Sequence, residues 1–124
     1  MLLDTHVLLW WLFDDAQLSQ RAREVIKNPD NRLLVSSVSA WEISIKYHLG
    51  KLPEAGKAVR NLSALLRASQ MEVLAISPQH ALAAGALPRH HRDPFDRMLV
   101  AQSRLEDAPL LTSDPVFARY EVLW

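Results

Sequence analysis

The 124-residue chain contains no cysteine, only three glycines and no long hydrophobic run. Without cysteine there is no disulfide framework, no thiol chemistry and no cysteine-bound zinc. The longest apolar run, Val7 to Phe13, is too short to cross a bilayer, and the first residues lack the basic segment and cleavage site of a leader. We therefore expect a cytoplasmic protein with no membrane segment, folded as a single domain over residues 1–124.

The chain also lacks an excess of either charge, because 14 basic residues balance 14 acidic ones. Its overall charge therefore does not indicate a nucleic-acid binder. Neither of the common glycine-rich phosphate-binding patterns occurs, which disfavours a nucleotide cofactor. Composition thus excludes several classes of protein without indicating a function.

Short apolar segments alternate along the chain with segments of helical periodicity. Strands are predicted at residues 1–3, 32–35, 71–76 and 108–112, with a last strand at 121–124. Their apolar residues run continuously, which is typical of parallel strands covered on both faces. We predict an α/β fold with a central, mostly parallel, twisted sheet of four or five short strands and helices on both faces.

Four acidic residues fall where such a sheet gathers its ligands. Asp4 and Asp114 follow the first and fourth strands, Glu42 lies on the helix after the second, and Asp96 lies on the helix before the fourth. All four can converge on the carboxyl edge of the sheet. Because several carboxylates in one pocket repel each other, a cluster of this kind indicates a bound cation, and oxygen ligands select Mg²⁺ or Mn²⁺.

Two of these acids can also be explained as parts of helix starts. Asp4 can cap the first helix. Ser39 and Glu42 form a capping box if the helix begins there, whereas a helix capped by Ser36 or Ser37 leaves Glu42 in the second turn, beyond capping reach. The sequence leaves these alternatives open.

The stretch from Arg89 to Gln102 sets Asp93 and Asp96 three residues apart at the start of a predicted helix, within a run of cationic side chains. Pro94 suits the first helical turn, which makes Asp93 the natural N-cap. Asp96 then lies at the border of the apolar stripe, either as an acid favoured by the helix dipole or as a ligand at the rim of a site.

Four motifs, taken together and in order, carry a family resemblance: Leu-Leu-Asp-Thr-His, Ser-x-x-Ser-x-Trp-Glu-Ile, His-His-Arg-Asp-Pro-Phe-Asp-Arg and Leu-Leu-Thr-Ser-Asp. In this order they resemble the PIN-domain family, and in particular its single-domain VapC-like toxins. The resemblance runs from Met1 to Trp124. The four acids of the family correspond to Asp4, Glu42, Asp96 and Asp114, and Asp93 is an additional acid that can assist.

The resemblance implies a Mg²⁺- or Mn²⁺-dependent endoribonuclease that hydrolyses RNA phosphodiester bonds and is the toxin of a toxin–antitoxin pair. Its partners would be an RNA substrate and a small antitoxin protein. Supporting roles are expected for Thr5, Asp93, Thr112 and Ser113. The candidates for holding RNA phosphates are Lys46, Arg89, Arg92 and Arg97.

Trp10, Trp11 and Trp41 are more tryptophans than one small core usually needs, which favours a homodimer or a groove for a partner. Two other functions remain open: a PIN-like nuclease of RNA processing that is not a toxin, and a non-catalytic α/β binding module whose acids are caps. An aspartyl-phosphate protein is disfavoured, since the chain lacks an acid pair after its first strand.

Overall fold

The structure is a computed structural model that describes residues 1–88 and 93–115. In these ranges the helices and strands, in chain order, are β1 (Leu2–Leu3), α1 (Thr5–Leu12), α2 (Gln20–Lys27), β2 (Leu34–Ser36), α3 (Ser37–His48), α4 (Gly56–Ala68), β3 (Glu72–Leu74), α5 (Pro78–Ala86), α6 (Pro94–Leu105) and β4 (Leu110–Leu111). A 3₁₀ turn, Pro53–Ala55, precedes α4. The strand predicted at 121–124 lies outside the described residues.

The strands form one parallel sheet in the order β3-β2-β1-β4. Leu2 of β1 is paired with Leu34 of β2 on one side and with Leu110 of β4 on the other. The predicted α/β fold with a parallel sheet is confirmed. Among the described helices, none is long and apolar enough to cross a membrane.

Helices cover both faces of the sheet because successive strand residues point to opposite sides. On one face, α6 packs on a cluster formed by Leu2, Leu34 and Leu110. On the other, α1, α2 and α4 pack on a cluster formed by Leu3, Val35 and Leu111. The edge strand β3 is an exception to the predicted cover, since its central residue, Val73, is 63% exposed.

The start of α3 decides between the two positions predicted for Glu42. Ser36 is the N-cap, and its hydroxyl accepts a hydrogen bond from the backbone N–H of Val38 at 3.0 Å. Ser39 is therefore inside the helix, and Glu42 lies in its second turn without a capping role. The helix ends at His48, and Gly50 two residues later has a φ of 77° that only glycine adopts easily. The Lys51 N–H donates to the Lys46 carbonyl at 2.9 Å.

The start of α6 matches its predicted cap. The Asp93 carboxylate accepts hydrogen bonds from the N–H groups of Phe95 at 2.8 Å and Asp96 at 3.3 Å. Pro94 occupies the first helical position, where its missing N–H costs nothing. This cap fixes the start of α6.

The packing of α6 on the sheet predicts that truncating its buried and its exposed leucines has different effects on stability. Leu99 is completely buried against the sheet, whereas Leu105 on the same helix is 50% exposed. Leu99→Ala should lower the free energy of unfolding by about 2–5 kcal/mol, because the cavity adds to the lost transfer energy. Leu105→Ala should change it by less than about 1 kcal/mol. Urea denaturation measures both, and equal losses would contradict this packing.

Candidate functional site

Asp4 lies directly after β1 at the carboxyl edge of the sheet, and only 3% of it is exposed. Thr112, directly after β4, donates its hydroxyl to Asp4 Oδ2 at 2.7 Å. The backbone N–H of His6 donates to Oδ1 at 3.3 Å, so Asp4 is also the N-cap of α1. The capping role and a position at the candidate site are thus held by one side chain.

Glu42 lies near the same edge of the sheet, because α3 begins directly after the end of β2. Its side chain is buried, and Lys46 Nζ donates to its Oε2 at 2.5 Å. In the part of the chain that the structure describes, Glu42 Oε1 is buried and has no hydrogen-bond partner. A buried carboxylate oxygen without a donor is costly, which makes this atom a candidate ligand for a cation.

Asp4 and Glu42 are close enough for their charges to interact. The pKa of Asp4 is raised above its ordinary value, first by burial and further by the negative charge of Glu42. The hydrogen bond from Thr112 and the neighbouring His6 offset only part of this rise. A hydrogen bond between the hydroxyl groups of Thr5 and Ser39, 2.8 Å long, connects the starts of α1 and α3.

Asp93 and Asp96 approach the site from α6, on the side of Lys46. Burial favours the neutral amine of Lys46, but its hydrogen bond to Glu42 and the charges of Glu42, Asp93 and Asp96 raise its pKa above the ordinary value. Asp96 is half-buried, as expected for a carboxylate at a rim. Lys46 therefore sits among three acids from two helices.

Asp114 and Ser113 follow β4 and are exposed. The backbone N–H of Asp114 donates to Thr112 Oγ1 at 3.0 Å, and the same hydroxyl donates to Asp4. Thr112 thus links the segment of Asp114 to the buried acid.

Three acids that hold one ion should surround a common point. Within residues 1–88 and 93–115, no group of three histidine or acidic side chains lies close enough to do so. The structure brings Asp4 next to Glu42, sets Asp93 and Asp96 near Lys46, and connects Asp114 through Thr112. The described acids are neighbours at this edge of the sheet, but no three of them form one group.

The four predicted phosphate-binding residues have different surroundings. Lys46 is paired with Glu42. Arg97 donates to backbone carbonyls at the end of α5, at 2.9–3.3 Å, namely those of Ala84, Gly85, Leu87 and Pro88. Arg97 thereby joins α5 to α6. Arg89 and Arg92, and the two histidines between them, lie outside the described residues.

The structure adds the bond between Ser39 and Thr5 to what the sequence predicts, and it shows the surroundings of Trp41, one of the tryptophans suggested for a partner groove. Ser39 is completely buried and bonds to Thr5, although it was considered only as a cap. Trp41 is 59% exposed, and its ring meets that of Phe95 edge-on with centroids 5.3 Å apart, next to Glu42 in the chain. The i, i+4 spacing of Glu42 and Lys46 is a sequence signal that could have indicated their pairing.

The fold and the site define a class: α/β domains with a parallel sheet that gathers acidic side chains at its carboxyl edge. Within this class the chain belongs to the PIN domain family, whose family model matches residues 1–123. The sequence is 32% identical to Ribonuclease VapC22 of Mycobacterium tuberculosis (strain ATCC 25618 / H37Rv) over 116 residues, 92% of this chain and 86% of that protein.

Two further similarities agree with this assignment. Ribonuclease VapC16 of the same organism is 45% identical over 38 residues, 31% of this chain and 27% of that protein. The crystal structure of VapBC2 from Rickettsia felis bound to a DNA fragment from their promoter shares the fold, with a TM-score of 0.66 and 19% identity over 98% of this chain and 93% of that chain. The resemblance to VapC-like PIN domains predicted from the motifs is confirmed.

The raised pKa of Asp4 predicts a stability effect of Asp4→Asn in metal-free protein. Because the folded state binds the proton of Asp4 more tightly than the unfolded state, ionisation near neutral pH disfavours folding. The variant, which cannot ionise, should melt at the same temperature or up to about 5 °C higher at neutral pH. This advantage should disappear as the pH falls through the raised pKa of Asp4.

Thermal unfolding at several pH values, with chelator present, measures this effect. Asp30→Asn in an exposed turn is the control and should show no such trend. A lower melting temperature of Asp4→Asn that is the same at every pH would show that Asp4 acts only as a helix cap.

Proposed function

We propose that this chain is a Mg²⁺- or Mn²⁺-dependent endoribonuclease that hydrolyses RNA phosphodiester bonds, acts in the cytoplasm and is the toxin of a toxin–antitoxin pair. The observation that carries the proposal is the buried pair of carboxylates, Asp4 and Glu42, at the carboxyl edge of a PIN-domain sheet. Membership of the family and the similarity to Ribonuclease VapC22 over most of both chains support it.

The residues at this edge suit a hard divalent cation. Glu42 Oε1 is buried and finds no donor among the described residues, and the nearby side chains offer carboxylate oxygens. Such donors favour Mg²⁺ or Mn²⁺ over softer metals. We assign Asp4 and Asp96 as the main ligands, with Glu42 and Asp114 completing the set.

The chain's own residues hold these acids in place for hydrolysis. Thr112 fixes the orientation of the Asp4 carboxylate, while the bond between Thr5 and Ser39 holds the starts of α1 and α3 together. Asp93 fixes the start of α6, which carries Asp96. Asp4, Glu42, Asp96 and Asp114 would hold the divalent ion, which would supply Lewis acidity for the attack of water on the phosphodiester and for the departure of the 3′-oxygen. The expected products carry a 5′-phosphate and a 3′-hydroxyl.

Substrate phosphates require cations near these acids. Lys46 is 30% exposed at the site, and Arg89 and Arg92 precede Asp93 in the sequence. We assign these three residues to phosphate binding. Arg97 supports the site indirectly, because its hydrogen bonds to carbonyls at the end of α5 hold that segment against α6.

A protein partner is the second part of the proposal. The VapBC2 structure, which shares this fold, is of a complex, and on that analogy we propose a small antitoxin for this chain. Trp41, an exposed aromatic residue next to Glu42, is a suitable anchor for an apolar partner segment. We also propose that the protein forms a homodimer.

The nuclease proposal predicts cleavage of single-stranded RNA or a tRNA loop by the purified protein when Mg²⁺ or Mn²⁺ is added. EDTA should stop the reaction, and Asp4→Asn and Asp96→Asn should each reduce the rate by at least about 100-fold, since ligands are lost. Asp30→Asn, remote from the site, should be as active as the wild type. Gel analysis of labelled RNAs measures the rates. Activity that survives EDTA and both substitutions would refute the proposal.

The toxin proposal predicts that expression of the chain alone slows growth, because free nuclease degrades cellular RNA. Asp4→Asn should remove this effect, and co-expression of the antitoxin should restore growth. Growth curves measure both effects, and co-purification from the native host tests whether a small protein binds the chain. If expression is harmless while the purified protein still cleaves RNA, the chain is a PIN-domain nuclease of RNA processing instead.

A further inference from the structure

The ammonium group of Lys46 contacts one of the candidate ligand acids and feels the charge of two other acids. Its Nζ lies 2.5 Å from Glu42 Oε2, and the charges of Asp93 and Asp96 act on the same ammonium group. The Glu42 side chain is 3% exposed and that of Lys46 is 30% exposed. The ammonium group therefore connects a buried carboxylate to the solvent.

An ordinary helix ion pair is the simplest explanation of this contact. Pairs at i, i+4 on an exposed helix surface contribute little, and their removal changes little else. Here, however, Glu42 is buried, and among the described residues Lys46 is the one that donates a hydrogen bond to its carboxylate, whose Oε1 has no partner. Removing the partner of a buried charge is strongly unfavourable, so the metal-free pocket needs the ammonium group.

We propose that Lys46 is the cation of the metal-free site and that a divalent ion binds by displacing its ammonium group from Glu42. The inference rests on the proposed function, since it needs Glu42 as a ligand. The hydrogen bond from Lys51 N–H to the Lys46 carbonyl fixes the backbone at the end of α3, so the displacement is a rotation of the side chain towards the solvent.

This displacement lowers the affinity of the site for the ion. The ion must replace an interaction that already exists, so it binds more weakly than it would to the same acids without Lys46. The acids stay compensated when no ion is bound, and the pocket becomes a ligand set only when the ion enters. Lys46 is thus a positioning residue that acts through Glu42.

The test is calorimetric titration of metal-free Lys46→Met with MnCl₂ and, separately, MgCl₂. Methionine keeps much of the side-chain length but removes the charge. The affinity for the ion should increase by about three- to tenfold, the equivalent of a partly buried ion pair that no longer competes. The control, Lys57→Met, removes the same charge from an exposed site on α4 and should change the affinity by less than about twofold.

A second measurement uses the wild-type protein and does not depend on the stability of Lys46→Met. The rate at which an amine-acetylating reagent labels each lysine is read by mass spectrometry with and without MgCl₂. Labelling of Lys46 should rise by at least about twofold when the ion is added, because its ammonium group leaves the ion pair. Labelling of the exposed Lys51 and Lys57 should stay the same.

The outcomes separate this inference from the proposed function. If the ions bind the wild type but neither the affinity of Lys46→Met nor the labelling of Lys46 increases, Lys46 is only a helix ion-pair partner, and the metal-dependent nuclease proposal stands. A weaker affinity of Lys46→Met likewise overturns displacement. If neither ion binds the wild type or the variant, both displacement and metal dependence are refuted.

Discussion

The charge of two buried carboxylates is the constraint on which the rest of this structure depends. Asp4 and Glu42 are nearly inaccessible, and each would be strongly unfavourable in an apolar interior without compensation. Three donors compensate these charges: the Thr112 hydroxyl and the His6 backbone N–H bond to Asp4, and the Lys46 ammonium group bonds to Glu42. The sheet, whose strands are only two or three residues long, brings these donors together at one edge. Packing on both faces of the sheet then keeps the acids close in spite of their repulsion.

The fold was largely predictable because its signals are local. The four short apolar strands and the helix cap at Asp93 agree with the structure. The exposure of β3 was not predictable, since an apolar edge strand reads like a central one until the strand order is known. The position of Glu42 was decided by which of three nearby serines caps α3. That choice depends on where β2 stops, which is a tertiary outcome.

The candidate site was predictable as a set of acids but not as an arrangement. Sequence position placed Asp4, Glu42, Asp96 and Asp114 at one edge, because strand ends and helix starts meet there in a parallel sheet. It suggested Lys46 for RNA phosphates, but it did not show that the ammonium group is paired with Glu42. Charge alone does not distinguish a lysine that faces a ligand from one that neutralises a neighbour. The difference lies in which side of α3 faces α6, and this is set by packing between helices distant in the chain.

The bond between Thr112 and Asp4 joins residues 108 positions apart. The bond determines when, during translation, the candidate site can form. β1 is made first, but its neighbour β4 is made only after all the other described strands and helices. Until then Asp4 has no Thr112, and β1 has a partner on one side only. Contacts of such long range form late in folding. A growing chain therefore cannot complete this edge of the sheet on the ribosome before β4 has emerged.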